Sequence, residues 1–248
     1  MSNGINPWIV RSCRAQPRAR IFVVPHAGAG PATFRSWLHV FPPDVEIALV
    51  NLPGRERRMS EPALTHIQSV VASMHDAIAS ELDLPFVLFG HSMGAYVSFR
   101  LAQRLESFGL ARPRRVVVSG ARPPHLPRRR EQRVLTDTAL REELRELGGT
   151  PSELVEHDQL MDLLLPILRA DFQVVDSDPQ NGGVPLVAPL RALGGASDPH
   201  VPAGDLEHWR SLTSGHFDAQ TYPGDHFYAT REPSRLVHAI SEGLVPCA

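Results

Sequence analysis

The stretch Phe86-Val87-Leu88-Phe89-Gly90-His91-Ser92-Met93-Gly94-Ala95 decides the fold. Phe86 to Gly90 is near-continuously apolar, as a strand covered on both faces is, and Gly94 to Phe108 places its apolar residues at helical spacing. Between them, Gly90-x-Ser92-x-Gly94 sets a serine on a turn too tight for side chains two positions to either side. Such a turn aims the hydroxyl at the top of a sheet, and the helix that follows favours developing negative charge. A chance Gly-Ser-Gly turn is the competing reading, and the strand before with the amphipathic helix after argues against it.

Outward from this elbow, short apolar runs alternate with helical segments. Arg20 to Val24, Glu46 to Asn51, Arg115 to Gly120, Leu190 to Gly194 and Phe217 to Tyr222 read as further strands. The last is more polar and belongs nearer a sheet edge. Thr65 to Leu82, Gly94 to Phe108 and Glu232 to Leu244 are the covering helices, with Pro233 suited to a first turn. The expected architecture is an α/β-hydrolase fold: a mostly parallel central sheet flanked by helices, forming one domain over residues 1–248. From His125 to Pro189 the alternation stops, and helices are predicted over Asp137 to Leu147 and over Ser152 to Val175, the latter interrupted at Pro166. Leu160, Met161, Leu163, Leu164, Leu165, Ile167, Leu168 and Phe172 exceed one core-facing stripe, so residues 125–189 read as a helical lid insertion; an ordinary packing pair is the alternative.

Composition narrows the chemistry. The 248 residues carry 25 basic and 27 acidic side chains, for a net charge of −2, which gives no electrostatic case for a nucleic-acid or anionic-membrane partner. Every basic residue is arginine, so Schiff-base chemistry, a Ser-Lys dyad and a phosphate-loop lysine are excluded. The two cysteines, Cys13 and Cys247, sit near opposite ends and make neither a disulfide framework nor a Cys-x-x-Cys site. With no basic and apolar leader and no apolar run near the ~20 residues of a membrane helix, the expected location is the cytoplasm.

A serine hydroxyl needs a base, and the base needs a carboxylate to orient it. Asp198 follows the strand Leu190 to Gly194 in the turn-rich run GGASDPHVP, and His226 follows the strand Phe217 to Tyr222 in YPGDHFY. The order Ser92, Asp198, His226 is the one this fold uses. His200, His208, His216 and His238 compete for the base, and Asp171, Asp176, Asp178 and Asp225 for the acid; position just past a strand's C-terminal end favours the chosen pair. The oxyanion formed on attack needs two amide donors. Met93, after the nucleophile, supplies one, and Ala27, in the glycine-bearing loop His26-Ala27-Gly28-Ala29-Gly30 after the first long strand, supplies the other. That loop is a poor dinucleotide site, since it lacks a third glycine and Pro31 removes an amide.

Taken together, PHAGAG at 25–30, LPGRERR at 52–58, GHSMGA at 90–95, GASD at 195–198 and GDHF at 224–227 resemble the type II thioesterases of polyketide and nonribosomal peptide synthesis. The resemblance runs from about Arg20 to Leu244, and LPGRERR is its most telling run, because general esterases that share the elbow do not usually carry it. That run has no catalytic part in the residue-level reading, where it is a turn with solvated arginines. The resemblance implies a serine hydrolase that clears unproductive acyl groups from the phosphopantetheine thiol of an acyl carrier protein or peptidyl carrier domain. It implies Ser92 as nucleophile, His226 as base, Asp198 as its orienter, Met93 and Ala27 as oxyanion donors, and no cofactor or metal. The chain departs from the family where Gly28-Ala29-Gly30 replaces two adjacent glycines, which bears on Ala27 rather than on Met93.

Arg112, Arg114, Arg115, Arg122, Arg128, Arg129, Arg130 and Arg133 cluster in sequence and form a candidate docking face for an acidic carrier, or else a solvated surface. Two other functions fit the same triad: a carboxylesterase acting on small free esters, and an inactive acyl-binding scaffold, against which the intact triad argues.

Overall fold

Strands β1 (Ile9–Arg11), β2 (Ala19–Val24), β3 (Val45–Val50), β4 (Phe86–His91), β5 (Arg115–Ser119), β6 (Leu190–Gly195) and β7 (Phe217–Tyr222) form one sheet in the order β1-β3-β2-β4-β5-β6-β7. The computed structural model describes residues 6–12, 14–127, 136–149 and 152–244; Cys13, Cys247, Arg128, Arg129, Arg130 and Arg133 lie outside them. All pairings are parallel except β1 with β3, so the sheet is mostly parallel and of the α/β-hydrolase type. Six strands match the sequence expectation within one residue at each end, and the polar β7 takes the edge. The unexpected strand, β1, is three residues long and pairs only with β3.

Strand residues alternate between two cores, as a two-residue side-chain period requires. Phe22 and Val24 of β2 join the core covered by α1 (Ile67–Ile78) and α2 (Met93–Ser107). Ile21 and Val23 face the other, with Trp37, Leu236 and Ile240. The C-terminal helical segment expected over Glu232 to Leu244 is a 3-10 turn, Pro233–Leu236, followed by a short helix, Val237–Ser241. No helix among the described residues is long and apolar enough to cross a membrane.

Between β5 and β6 lie α3 (Asp137–Leu147), a single turn (Ser152–Val155) and α4 (Asp158–Asp176). They share a small core of their own, in which Leu140, Leu144, Val155, Met161, Leu165, Leu168 and Phe172 pack together and reach Ala27 beneath. The expected interruption at Pro166 is not there. The chain breaks earlier, at His157, whose ring accepts the Leu160 amide and caps α4, and α4 runs through Pro166. Pro166 and Asp162, one turn before it, are both exposed, so proline removes its donor on the outer face of the helix, where water can replace it.

Candidate active site

β4 lies at the centre of the sheet between β2 and β5, and its chain leaves through Ser92 directly into α2. Ser92 has φ 54° and ψ −115°, one of two non-glycine residues with positive φ among those described. That strained geometry holds only because the flanks carry no side chains. A Cβ on Gly90 would overlap the Gly94 carbonyl, and one on Gly94 would overlap the Val24 carbonyl of β2. The elbow is therefore locked by backbone against backbone, and the serine stands at the C-terminal edge where strand order reverses between β2 and β4.

The loops after β6 and β7 are stitched together. The Ala196 amide donates to the Tyr222 carbonyl at 2.7 Å and the Ser197 amide to the Gly224 carbonyl at 2.9 Å. Asp198 and His226 are thereby brought to the same edge as Ser92. Asp198 Oδ2 lies 2.7 Å from His226 Nδ1, and Asp198 Oδ1 accepts the amides of His200 at 2.8 Å and Val201 at 3.3 Å. Burial raises the Asp198 pKa, but its bonds and charge interactions with His226 and the His200 segment outweigh this and hold the carboxyl below its ordinary value. With Nδ1 engaged, the remaining nitrogen of His226 is the one available to a hydroxyl, and Ser92 and His226 line the same cavities.

Ala27 and Met93 line the first of these cavities with Ser92. The Met93 amide opens α2, where a helix offers no acceptor, and among the described residues the Ala27 amide also has none. Of residues 28–30 only Gly28 has positive φ, at 76°, so Ala29 fits where a second glycine was expected.

Of the competing acids, three are paired elsewhere, while Asp176 lines the first cavity with Ser92 and His226, as does His200. Asp178 pairs with Arg100 at 2.6 Å, Asp225 with Arg231 at 2.6 Å, and Asp171 with Arg55 at 2.7 Å. His208 is exposed on a 3-10 helix, His216 lies by Asp218, and His238 sits on the C-terminal helix. His200 serves the site through its backbone amide.

Two features escaped the sequence reading. The LPGRERR arginines are not all solvated: Arg55 and Arg58 are buried at 4% and 6% exposure, Arg55 on Asp171 and Arg58 stacked on Trp8 and bonded to Glu61. Beneath the elbow, His91 shares a hydrogen bond with Ser119, which bonds Tyr228. Burial drives the His91 pKa well down, and burial likewise pushes His26, beside Ala27, down to about 4. Of the arginines expected to cluster, those among the described residues are spread along β5: Arg112 and Arg114 precede it, Arg115 opens it and Arg122 follows it, about 16 Å of strand further on, while Arg128, Arg129, Arg130 and Arg133 lie outside the described residues. Arg122 is also bonded to Asp205.

Two cavities meet at Ser92. One, of about 150 Å³, is walled by Met93, Tyr96, Leu126, Phe172 and Val175; the other, of about 310 Å³, by His26, Thr33, Leu168, Thr230 and Arg231. A family model for the thioesterase domain matches residues 19–243. The gramicidin S biosynthesis protein GrsT of Aneurinibacillus migulanus is 37% identical over 242 residues, 97% of this chain and 94% of that one. RedJ, a thioesterase of the prodiginine pathway in Streptomyces coelicolor, is 35% identical with a TM-score of 0.82, covering 89% of this chain and 87% of that one. YbtT, a type II thioesterase of the yersiniabactin NRPS/PKS pathway, is 30% identical with a TM-score of 0.86, covering 96% and 98%. A match across nearly the whole chain, in sequence and in fold, means that the chain belongs to the thioesterase domain family.

Proposed function

We propose that this chain is a type II thioesterase that hydrolyses stalled acyl groups from the phosphopantetheine thiol of carrier domains in a polyketide or nonribosomal peptide synthase. The carrying observation is the Asp198–His226 pair beside a serine held at positive φ, in a chain whose relatives include a type II thioesterase of such a pathway. Ser92 Oγ attacks the thioester carbonyl while His226 takes its proton. The amides of Met93 and Ala27 receive the developing oxyanion. The C–S bond then breaks, and the thiolate leaves, taking the proton back from His226. Water, deprotonated by His226, attacks the acyl-Ser92 ester, and collapse returns the acid and the free serine. Asp198 keeps the ring oriented and stabilises it when charged.

Helices α3 and α4 act as the lid. The smaller cavity, with Tyr96, Leu126, Phe172 and Val175 on its wall, takes the acyl group, and the larger one, with Thr33, Thr230 and Arg231 beside its leucines, takes the pantetheine arm. The partner is an acyl or peptidyl carrier domain, the setting is cytoplasmic, and no cofactor takes part.

The test is intact-protein mass spectrometry of an acyl-loaded carrier domain. The wild-type chain should strip the acyl mass, with a transient acyl adduct on Ser92 in quenched samples. Ser92→Ala should do neither, and stripping by Ser92→Ala would overturn the mechanism.

A further inference from the structure

The motif LPGRERR has no part in the steps above, yet it lies against the loop that supplies an oxyanion donor. Arg55 donates through Nη1 to the Ala29 carbonyl at 2.9 Å and to Asp171 Oδ2 at 2.8 Å, and through Nη2 to Asp171 Oδ1 at 2.7 Å. Asp171 belongs to α4. Its Oδ2 also accepts the Gly28 amide at 2.7 Å, the amide next to that of Ala27. The helix packs directly on this glycine: a Cβ there would stand 2.8 Å from Leu168. One residue on, Glu56 Oε1 accepts the Ala32 amide at 2.8 Å, from a backbone with φ 45°. Asp171 is 1% exposed and Arg55 4%, so the pair sits out of water. A buried ion pair is weak evidence for stability, because desolvation offsets its attraction, but its bidentate geometry fixes direction.

We propose that Arg55 and Asp171 are a positioning pair that ties the oxyanion loop to lid helix α4, so that the oxyanion hole is complete only while α4 lies against the loop. This rests on the reading of the Ala27 amide as an oxyanion donor. Asp171 fixes the Gly28 amide, and through it the direction of the adjacent Ala27 amide. The end of α4 that carries Asp171 is itself anchored, with Val174 in the main core and Asp178, just past the helix, paired with Arg100.

Asp171→Asn and Arg55→Lys keep size and some hydrogen bonding while removing the bidentate pair. Each should lower kcat about tenfold to a hundredfold on both a carrier thioester and a p-nitrophenyl ester, with KM unchanged. Each should weaken an alkyl trifluoromethyl ketone, whose hemiketal oxyanion uses the same amides, by a matching factor. The double variant should fall no further than the worse single one. Unchanged kcat, a change in KM alone, or a double variant at the product of the two single losses would overturn the pair. Hydrogen exchange on the unaltered chain needs no variant to fold: the Gly28 amide should exchange at the rate of the α4 amides around Asp171, and an independent, faster rate at Gly28 contradicts the coupling. Ser92→Ala separates the two levels. Activity persisting in Ser92→Ala defeats the site itself, whereas a dead Ser92→Ala beside a fully active Arg55→Lys defeats only the pair.

Discussion

Asp198 presents one carboxylate oxygen to His226 Nδ1 at 2.7 Å and the other to the amides of His200 and Val201. The acid is therefore held from two sides, by the ring it orients and by its own loop, and it is buried. Replacing it with asparagine keeps the volume but offers His226 an amide that can stabilise the wrong tautomer and cannot stabilise the charged ring. Asp198→Asn is expected to lower kcat by about 10⁴ with the thermal midpoint little changed. A loss under tenfold in steady-state assays would remove Asp198 from the site.

The elbow makes a stability prediction with an internal control. Gly94→Ala pushes a methyl into the backbone carbonyls of Val24 and Pro25, which have no side-chain freedom to yield. A cost of about 3 kcal/mol is expected in denaturant unfolding. Gly204, in the short helix Ala203–Leu206, has nothing near its Cβ position, and Gly204→Ala should be neutral or stabilise by up to about 1 kcal/mol. Similar effects of the two changes would contradict the packing described.

His26 should make the fold acid-sensitive. Burial holds its pKa at about 4 against an ordinary 6.5, with lesser contributions from the nearby His226 and Arg55. The unfolded chain binds this proton more readily than the folded one, so stability is full above pH 6.5 and falls as pH drops toward 4. The whole shift corresponds to about 3 kcal/mol at most. Urea midpoints measured across that range should fall less steeply in His26→Gln, and equal slopes in the two proteins would show that His26 is not the group concerned.

The cavity of about 150 Å³ beside Ser92 is the one proposed for the acyl group. An enclosed space of that volume holds a ligand the size of benzene, about six heavy atoms, which sets the scale for the acyl chain. In a series of straight-chain acyl thioesters, kcat/KM is expected to decline beyond about six carbons, and Tyr96→Ala or Phe172→Ala to extend the range. Equal turnover of butyryl and dodecanoyl substrates would place the acyl chain elsewhere.

Much of this molecule was legible in its sequence because its decisive features are local. The elbow announces itself through two glycines and a hydroxyl between a two-period and a 3.6-period segment, and the acid and base follow strands whose apolar runs mark their own ends. What escaped depends on partners far along the chain. Strand β1 exists only because Ile9 to Arg11 find the edge of β3, some forty residues away, and three residues carry no periodic signal. Arg55 reads as a charge in a charged run until Asp171, 116 positions on, is placed over it. Pro166 reads as a helix breaker because local chemistry does not reveal that it stands on the exposed face of a helix packed through Met161, Leu165 and Leu168. Among the described residues, Arg112 and Arg114 stand close to Arg122 in sequence and are parted from it by the strand between them.

The site is proposed to serve carrier-bound thioesters. The most direct measurement compares kcat/KM for a short acyl group presented on a phosphopantetheine-bearing carrier domain with kcat/KM for the same acyl group as its p-nitrophenyl ester. The carrier thioester is expected to be the better substrate, with both activities lost in Ser92→Ala. A free ester turned over far faster than the carrier thioester would contradict it and assign the chain to general ester hydrolysis.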